Sequence, residues 1–296
     1  MKDLSGFVER LKECNADVHK AREFTPFIVD GKEVGKMRAG FVDIIRAYKD
    51  VFTLQRGREG FVGLAPELDT CEKRSQRVAE VLEALRKEGV ITGWRDELYP
   101  VTASFYEEPV MLIERAAATH FGIKAYGIHV NGFVRDPQTG AIRLWVARRS
   151  PTKPNWPNKL DHIVAGGQPH GLIPRDNVLK ECAEEAGIPP ALAATARPVG
   201  AVSYTTVSAS GYKPDVLFCY DLELPPDFVP VPQDGEVSEF TLRPLEEVAD
   251  LVANTTEFKT NCNLVIIDFM VRHGYITPEM PGYLKLVSML RSGDCS

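Results

Sequence analysis

The stretch IVAGGQPHGLIPRDNVLKECAEEAGI, residues 163–188, joins a strand-like start to a glycine pair, a loop and a helical pattern. Pro174 suits the first turn of a helix, because its fixed backbone angle matches that position and no N–H is needed there. Asp176 suits the positive end of the helix, and Gly187 marks its stop. The stretch therefore predicts a strand, a tight bend and a helix, in that order.

Three carboxylates mark one side of this helix. With about 100° per residue, Glu181, Glu184 and Glu185 share one narrow face. The opposite arc is apolar and is predicted to be buried; it contains Val178, Leu179, Cys182, Ala183 and Ala186. Each like-charged pair one turn apart costs only about 0.2–0.5 kcal/mol in water, so a solvated acidic face is one interpretation. A face that binds a cation is the other.

The residues before the helix favour the cation. Gly166 and Gly167 directly follow a strand-like segment. A chain without Cβ atoms folds sharply at such a point and offers backbone carbonyl oxygens to an ion. Hard divalent cations such as Mg²⁺ take oxygen ligands and usually keep water and substrate phosphates in their shell. The sequence therefore predicts a Mg²⁺ site between the glycines and the acidic helix.

Composition limits the class of protein. A chain of 296 residues exceeds the usual single domain of about 100–200 residues, so two domains are expected. The formal charge of −6 is spread without a basic tract, which argues against nucleic acid or a membrane surface and favours a small-molecule partner. Six cysteines form no CxxC pair and are predicted to be reduced thiols. The polar start and the lack of a long apolar run make the cytoplasm the default location.

A change of pattern near residue 118 indicates the domain boundary. Residues 1–118 are predicted to form a smaller α/β domain with short strands and with helices over 4–16, 39–52 and 73–89. This part carries no phosphate loop, metal cluster or nucleophile motif. We therefore expect it to pack against the second domain or to form the rim of a substrate site.

Residues 119–296 begin with strand-like patterns. A hairpin is predicted over 127–150, with its turn at PQTG, and two further strands over 198–225. A strand passing into a helix follows over 236–252, and an apolar helix over 261–274 ends at a glycine. Strands before and after an acidic helix predict an α/β fold for the second domain.

At residues 166–188 the chain resembles the signature of the Nudix hydrolases, G-x5-E-x7-R-E-U-x-E-E-x-G-U, in which U is apolar. KECAEEAGI, residues 180–188, supplies every Glu and Gly of its second half. Lys180 stands where the family has Arg, and Leu172 stands where it has the first Glu. Both departures resemble a subgroup related to the Nudix domain of fungal thiamine pyrophosphokinase, whose usual form is AGG…GL…KECxEEAG.

The resemblance to this subgroup extends over nearly the whole chain. The segments YGIHVNGFVRD, LWVARRS, KPDVLFCYDLELP, DGEVSEF and FKTNCNLVIIDFMVRHG look like the same subgroup. The leading ~118 residues look like its uncharacterised N-terminal domain. The resemblance implies a Nudix α/β/α sandwich with a mixed sheet, preceded by the smaller α/β domain.

The same resemblance implies hydrolysis of a diphosphate that depends on Mg²⁺ or Mn²⁺. Glu181, Glu184 and Glu185 would be the catalytic residues and metal ligands, with the Gly166 carbonyl as a further ligand. Which glutamate acts as base is left open, as is the number of ions when Leu172 replaces a glutamate. Members of the subgroup act on thiamine diphosphate and, by preference, on oxothiamine and oxythiamine diphosphate. They release the monophosphate and phosphate, which is a metabolite-repair reaction.

Three residues outside this signature are candidates for substrate binding. Arg148 and Arg149 end a strand, and only one of two adjacent strand residues can point inward. A guanidinium matches phosphate oxygens, and we assign this role to Arg148, with surface ion pairing as the alternative. Lys153 is a second candidate for anionic oxygen. Trp156 offers a flat face to a heteroaromatic ring.

Other polar residues near the signature receive more ordinary interpretations. His162 and His170 flank the glycines but lack a partner at metal-ligand spacing, so we expect a loop or supporting role. Cys182 belongs to the apolar arc and is expected in the core. Glu239 lies in a segment where many Nudix enzymes bring a late acidic residue towards the metal, and exposure to solvent is the alternative.

Two further functions remain open from the sequence. One is a hydrolase of nucleoside diphosphate-linked molecules such as ADP-ribose or dinucleotides. The other is a Nudix-like sensor without catalysis, which Leu172 favours and the three intact glutamates disfavour. The sequence does not decide the oligomeric state, and a homodimer is compatible with it.

Overall fold

The computed structural model of this protein describes residues 3–55 and 60–293. The first part of the chain contains, in order, α1 (Ser5–Cys14), β1 (Thr25–Val29), β2 (Lys32–Met37), α2 (Ala39–Ile45), β3 (Phe52–Gln55), β4 (Phe61–Leu64), α3 (Cys71–Lys87), β5 (Leu98–Val101), β6 (Met111–Glu114) and α4 (Ala118–Phe121). Within the described ranges, no helix is long and apolar enough to span a bilayer.

The second part begins with two long strands that form the predicted hairpin. Its elements are β7 (Ala125–Arg135), β8 (Ile142–Arg149), β9 (Leu160–His162), β10 (Val164–Gly167), α5 (Pro174–Ala186), α6 (Pro190–Ala193), β11 (Arg197–Val207), β12 (Tyr212–Glu223), β13 (Val237–Pro244), α7 (Leu245–Asn254), α8 (Cys262–Arg272) and α9 (Tyr283–Met289).

The N-terminal part is built on a four-stranded sheet in the order β2-β1-β4-β3 and on the separate pair β5-β6. Helix α3 begins where the Thr70 hydroxyl accepts a hydrogen bond from Lys73 N at 3.2 Å, which satisfies one free N–H of the first turn. Its buried residues Val78, Val81, Leu82 and Leu85 recur at helical spacing. They pack in the core of the smaller α/β domain, as the sequence predicts.

A mixed sheet forms the centre of the C-terminal part, in the order β11-β12-β7-β8-β13. Strands β12 and β7 are parallel, and the other neighbours are antiparallel. One face packs against α7, α8 and α9 through residues that include Leu144, Val146 and Leu264. The other face packs against α5 through Ile128, Val164, Val178 and others. This is the predicted α/β/α sandwich.

The sheet opens where β7 and β8 separate. These strands pair only over 133–135 and 142–144. Towards the start of β7 and the end of β8, β10 pairs with residues 127–130 of β7, and β9 pairs with residues 146–148 of β8. The short strands β9 and β10 therefore fill the opening, and β10 leads directly into the loop before α5.

Helix α1 packs on the C-terminal part although it stands at the start of the chain. Phe7 and Leu11 belong to the same core as residues of α7 and α8. The Cys14 thiol donates to the carbonyl of Thr260 at 3.0 Å. A Cβ at Gly6 would lie 2.6 Å from the Ala253 carbonyl oxygen, so α1 and α7 approach closely at this glycine. The boundary near residue 118 stays a prediction.

The structure corrects two local expectations. The helix predicted over 39–52 ends at Ile45, and Phe52 begins β3. On α5 the buried face contains Asn177 and Glu185 beside Val178, Cys182 and Ala186. Ala183, which was predicted to be buried, is exposed. The apolar pattern alone misplaced this face because a carboxylate and an amide occupy buried positions.

Five cysteines are free thiols, in agreement with the prediction: Cys14, Cys71, Cys182, Cys219 and Cys262. Cys182 lies in the core, as expected. The sixth, Cys295, is outside the described residues.

Phe121→Ala tests the N-terminal core. Phe121 is fully buried, and its ring centre lies 5.5 Å from that of Phe27, 5.4 Å from Phe41 and 6.0 Å from Phe52. Removing a buried ring leaves a cavity, and we expect the free energy of unfolding to fall by about 3–5 kcal/mol in denaturant titrations. The exposed control Leu284→Ala should change it by less than about 0.5 kcal/mol. Equal effects of the two substitutions would contradict this core.

Candidate active site

Helix α5 carries the acidic residues and is specified at both ends. Pro174 occupies its first turn, as predicted. Gly187 ends it in the left-handed conformation at φ 61°, which favours glycine. The N–H of Ile188 closes this end with a hydrogen bond to the carbonyl of Cys182 at 3.0 Å. The helix is therefore held in a fixed position over β10.

Glu185 is the most deeply buried of the three glutamates. Its side chain turns towards the sheet, and Oε2 accepts a hydrogen bond from the backbone N–H of Ala165 at 3.0 Å. Burial raises the pKa of Glu185 well above its usual range, and the charge of Glu181 raises this pKa further. The carboxylate is thus positioned on β10 in a poorly solvated environment.

Glu181 lies over the first glycine of the pair. A Cβ built on Gly166 would lie 2.5 Å from the Glu181 carboxyl carbon, so only glycine leaves room for this side chain. Burial raises the pKa of Glu181. On the other side of the strand, a Cβ at Gly127 would lie 3.0 Å from the Gly166 carbonyl oxygen. Gly127 thus contributes to the close approach of β7 and β10, and no sequence pattern identified it.

Glu184 is placed differently from the other two glutamates. Its side chain is 53% exposed and forms an ion pair with Lys180 at 2.9 Å. Lys180 also contacts Glu181 at 3.2 Å. The lysine therefore offsets part of the repulsion along the helix. The structure brings Glu181 and Glu185 together at β10 and leaves Glu184 at the solvent side.

The loop between β10 and α5 is held by two buried amides that the sequence analysis did not single out. Asn177 Nδ2 donates to the Gly167 carbonyl at 2.7 Å and to Gln168 Oε1 at 3.2 Å. Gln168 Nε2 donates to the carbonyl of Leu172 at 2.6 Å. Leu172 thus takes part through its backbone, where the Nudix signature has a glutamate side chain. Asn177 stands at helical spacing from the other buried residues of α5, and this spacing is the signal that could have identified it.

The N-terminal part forms one wall of this loop. The N–H of His170 donates to the Leu98 carbonyl of β5 at 2.9 Å. A Cβ at Gly167 would overlap the Tyr99 hydroxyl and lie 3.1 Å from Cζ of Arg115. Arg115 is paired with Glu97 at 2.7 Å, and its guanidinium lies 5.5 Å from the Tyr99 ring centre. Arg115 is a cation beside the glycines that sequence reasoning missed.

Arg149, rather than Arg148, reaches the buried side of the site. Arg149 lines a small cavity together with Asp161, Glu185 and Glu236. Its guanidinium contacts Asp161 Oδ2 at 2.8 Å. Arg148 instead pairs with Glu239 at 3.0 Å and donates to the Asn158 carbonyl at 2.9 Å. Adjacent residues of β8 point to opposite faces, so only one of the two arginines points inward. The ion pair with Asp161 identifies this residue as Arg149.

Neither of the other two predicted substrate-binding residues lines the cavity beside Glu185. Lys153 forms an ion pair of 2.5 Å with Glu236, which lines the cavity beside Glu185, so Lys153 reaches the site through that partner. Trp156 is 46% exposed and lines a different cavity of about 370 Å³ with Arg10 and Phe258. The two cavities share no lining residue.

Comparison with known proteins places this arrangement in a family. A profile described as "NUDIX domain" matches residues 125–262, and one described as "Domain of unknown function (DUF4743)" matches residues 6–125. The Arabidopsis thaliana protein "Nudix hydrolase 24, chloroplastic" is 50% identical over 99% of this chain and 80% of its own length. This chain belongs to the Nudix hydrolase family.

Two further relatives of this Nudix hydrolase also match along nearly the whole chain. "Nudix hydrolase 20, chloroplastic" of Arabidopsis thaliana is 48% identical over 99% of this chain and 80% of its own length. An uncharacterised protein of Saccharomyces cerevisiae is 37% identical over 97% of this chain and 92% of its own length. The Nudix resemblance is confirmed, and the protein is a pyrophosphohydrolase that acts on diphosphate-containing substrates. The link to thiamine pyrophosphokinase stays a prediction.

The residues of this Nudix hydrolase fit a divalent cation between β10 and α5. Glu181 and Glu185 are carboxylates with raised pKa values because burial removes their hydration. A buried carboxylate is costly unless a positive charge accompanies it. Gly166 keeps the space beside Glu181 clear of a side chain. Two oxygen-donating side chains at a glycine strand suit Mg²⁺ or Mn²⁺, which prefer such ligands.

Glu185→Gln tests the cost of the buried charge in metal-free protein. The folded-state pKa of Glu185 lies above that of the unfolded chain, so ionisation favours unfolding as pH rises above about 4.3. Glutamine removes this charge and keeps an oxygen that accepts from Ala165. In EDTA we expect Glu185→Gln to raise the melting temperature near neutral pH by more than about 2 °C, with the difference shrinking towards about pH 4.

The matched control is Glu184→Gln on the exposed side of the same helix. We expect its melting temperature to stay within about 2 °C of wild type across the same pH range. A Glu185→Gln variant that melts below wild type near neutral pH would contradict a desolvated carboxylate at this position.

Proposed function

We propose that this Nudix hydrolase cleaves thiamine diphosphate and, by preference, its oxidised analogues oxothiamine and oxythiamine diphosphate. The products would be the corresponding monophosphate and phosphate. The reaction removes damaged cofactor forms and is a metabolite-repair activity. We propose Mg²⁺ or Mn²⁺ as the cofactor and the cytoplasm as the location.

The hydrolytic part of this proposal rests on the contact between Glu181 and Gly166. This contact puts a desolvated carboxylate within reach of the backbone of β10, one helical turn from the buried Glu185. When bound, a divalent cation there neutralises diphosphate oxygens and lowers the pKa of bound water. Stabilisation of developing negative charge is the main requirement of phosphoryl transfer to water.

The side chains have separable roles in the proposed reaction. Water oxygen bonds to the terminal phosphorus, the bridging P–O bond breaks, and the bridging oxygen leaves with the monophosphate. We assign the water proton to a carboxylate oxygen of Glu181, because its pKa is raised towards the range in which a base is effective. Glu185 is held by the Ala165 N–H and orients the reacting groups. Glu184 stays a predicted ligand.

A cluster of aromatic rings next to the glycines supports a heteroaromatic substrate; Phe105 and Phe218 are partly exposed, and Tyr126 is buried. The rings of Phe105 and Tyr126 have centres 4.8 Å apart, and Phe105 and Phe218 are also 4.8 Å apart. Tyr126 directly precedes Gly127, and its carbonyl accepts from Gln168 N at 2.9 Å. Flat aromatic faces bind thiazolium or pyrimidine rings through stacking and cation–π attraction. Phe218 pairs with Ile128 of β7, the strand beside β10, whereas Trp156 lines the other cavity, so we prefer this cluster to Trp156 for that role.

A substrate panel tests the proposed function. Phosphate release with Mg²⁺ or Mn²⁺ would be measured on oxothiamine diphosphate, thiamine diphosphate, ADP-ribose and a dinucleoside polyphosphate. We expect the highest kcat/KM on oxothiamine diphosphate. Higher kcat/KM on ADP-ribose or the dinucleotide would overturn the thiamine assignment. Tight binding of one compound without turnover of any would indicate a ligand sensor.

Variants of the three glutamates separate their roles on the preferred substrate. We expect Glu181→Gln and Glu185→Gln to lower kcat by about 10²–10⁴-fold, because each removes a carboxylate that faces β10. Glu184→Gln should cost less, since its side chain is half exposed and paired with Lys180. A greater loss in Glu184→Gln than in Glu185→Gln would contradict this assignment.

Arg115→Ala tests whether the N-terminal part contributes to the substrate site. Arg115 is the cation that lies beside Gly167, and a guanidinium pairs with phosphate oxygens. A hydrogen bond to a charged group contributes about 1.5–3 kcal/mol, so we expect KM to rise about 10–100-fold with a smaller change in kcat. Arg115→Lys should recover part of the loss.

The control is Arg77→Ala, in the same part of the chain. Arg77 has similar exposure, 39% against 42% for Arg115, and pairs with Asp50 and Glu80 on the surface. We expect KM to stay within about twofold of wild type for this variant. A KM unchanged by Arg115→Ala would remove Arg115 from the substrate site.

A further inference from the structure

Four side chains with metal-binding atoms meet beside the glycine strand, and two of them, Asp161 and His162, line the same small cavity as Glu185. They come from three elements that are distant in sequence: His129 of β7, Asp161 and His162 of β9, and Cys262 at the start of α8. Their exposures are 3%, 4%, 5% and 0% respectively. One donor atom from each lies within 4.8 Å of the other three. Burying four such groups together is unusual without a shared partner.

The distances suit a tetrahedral ion. Zinc bonds of about 2.0–2.3 Å place neighbouring ligand atoms about 3.3–3.7 Å apart. His129 Nδ1 and His162 Nδ1 are separated by 2.9 Å, and Cys262 Sγ lies 2.9 Å from Asp161 Oδ1. His162 Nδ1 is 3.8 Å from the same oxygen. These separations lie on either side of the tetrahedral spacing, so local side-chain shifts are enough to bring the four atoms onto a tetrahedron.

Asp161 divides its two oxygens between the cluster and nearby cations. Oδ2 accepts from Arg149 at 2.8 Å and faces Lys259 Nζ at 3.5 Å. Oδ1 accepts from the His162 backbone N–H at 2.9 Å and from the Cys262 thiol at 2.9 Å, and an ion would take the place of the thiol proton. Glu185 and Glu236 line the cavity on the Arg149 side and offset the positive charge there. A dication bound by one carboxylate and one thiolate leaves no excess charge among these groups.

We propose that His129, Asp161, His162 and Cys262 form a second, structural metal site that takes Zn²⁺. Thiolate and imidazole are ligands that zinc prefers, whereas Mg²⁺ prefers oxygen alone. The site uses none of the residues that hold the catalytic cation. Its ligands are therefore distinct from those of the catalytic cation, although Asp161 and His162 line the same small cavity as Glu185.

Binding proceeds without a redox step. The Cys262 thiol releases its proton to solvent, and the sulfur forms the bond to zinc. Of the two histidines, the one whose Nδ1–H donates to the other shifts to the Nε2–H tautomer, so that both Nδ1 atoms become ligands. One proton leaves per ion bound.

The site would connect three elements directly behind the catalytic strand. His129 is the strand partner of Ala165, whose N–H holds Glu185. His162 is separated from β10 by a single residue. Zinc would therefore join β7, β9 and α8 where the sheet opens and would stabilise the position of β10.

Cobalt binding to the full-length, metal-stripped protein tests this site. Tetrahedral Co²⁺ absorbs strongly in the visible range, and a thiolate ligand adds a charge-transfer band in the near ultraviolet. We expect wild type to show both bands at one equivalent of Co²⁺ and to lose them when Zn²⁺ is added. Protein purified without chelator should contain about one zinc per chain by elemental analysis.

Cysteine variants locate the ion. Cys262→Ser should abolish the charge-transfer band and weaken Co²⁺ binding by more than the about 10–100-fold that changes around a metal site cause. The control Cys219→Ser replaces another fully buried cysteine, outside the cluster, and should keep both bands. Zinc should raise the melting temperature of wild type and of Cys219→Ser, with no increase in Cys262→Ser.

Wild type without a thiolate band would overturn the proposal, and this measurement does not depend on the folding of any variant. A band that persists in Cys262→Ser would also overturn it. Glu181→Gln should keep the cobalt bands while losing hydrolysis, which separates this site from the catalytic one.

Discussion

The burial of two carboxylates against a strand without side chains is the constraint on which the rest of this structure depends. Glu185 accepts the Ala165 N–H, and Glu181 occupies the volume that a Cβ on Gly166 would fill. Neither contact forms unless α5 lies close to β10. The position of the helix, the glycine pair and the acidity of the site are therefore determined together.

Several neighbouring features keep that approach close. Asn177 donates to the Gly167 carbonyl, and Gln168 donates to that of Leu172, so two carbonyl oxygens around the loop are bound inside the protein. Strand β5 accepts a hydrogen bond from His170 on the same loop. The N-terminal part thus supports the catalytic segment and contributes a tyrosine and an arginine beside it. Both parts of the chain therefore contact the segment from Gly167 to His170.

Local chemistry made α5 and the hairpin predictable. Pro174, Gly187 and the turn at 137–140 act through backbone angles and caps, which neighbouring residues specify. The strand passing into α7 was predictable for the same reason. In the N-terminal part, α3 followed from its apolar spacing. These elements depend on interactions between residues close in sequence.

Tertiary contacts determined what the sequence could not. Sequence spacing offers His162 no metal-ligand partner, because the side chains that could share an ion with it, His129 and Cys262, stand 33 and 100 positions away and meet it only in the folded protein. Strand alternation predicts that one of Arg148 and Arg149 points inward, but it does not determine which of the two does so. A helical wheel places Glu185 on the polar side of α5, because it contains no information about the backbone partner of Glu185 on β10. Each of these three cases concerns a contact between different elements of the fold.

Helix α1 gives the catalytic half a component from the opposite end of the polypeptide. Phe7 and Leu11 cover apolar residues of α7 and α8, and Asn15 accepts a hydrogen bond from the Thr205 N–H at 3.2 Å. During synthesis at about 5–20 residues per second, α7 and α8 follow α1 by on the order of tens of seconds. The hydrolytic unit is therefore discontinuous along the chain, and α1 reaches these partners only after they have been made.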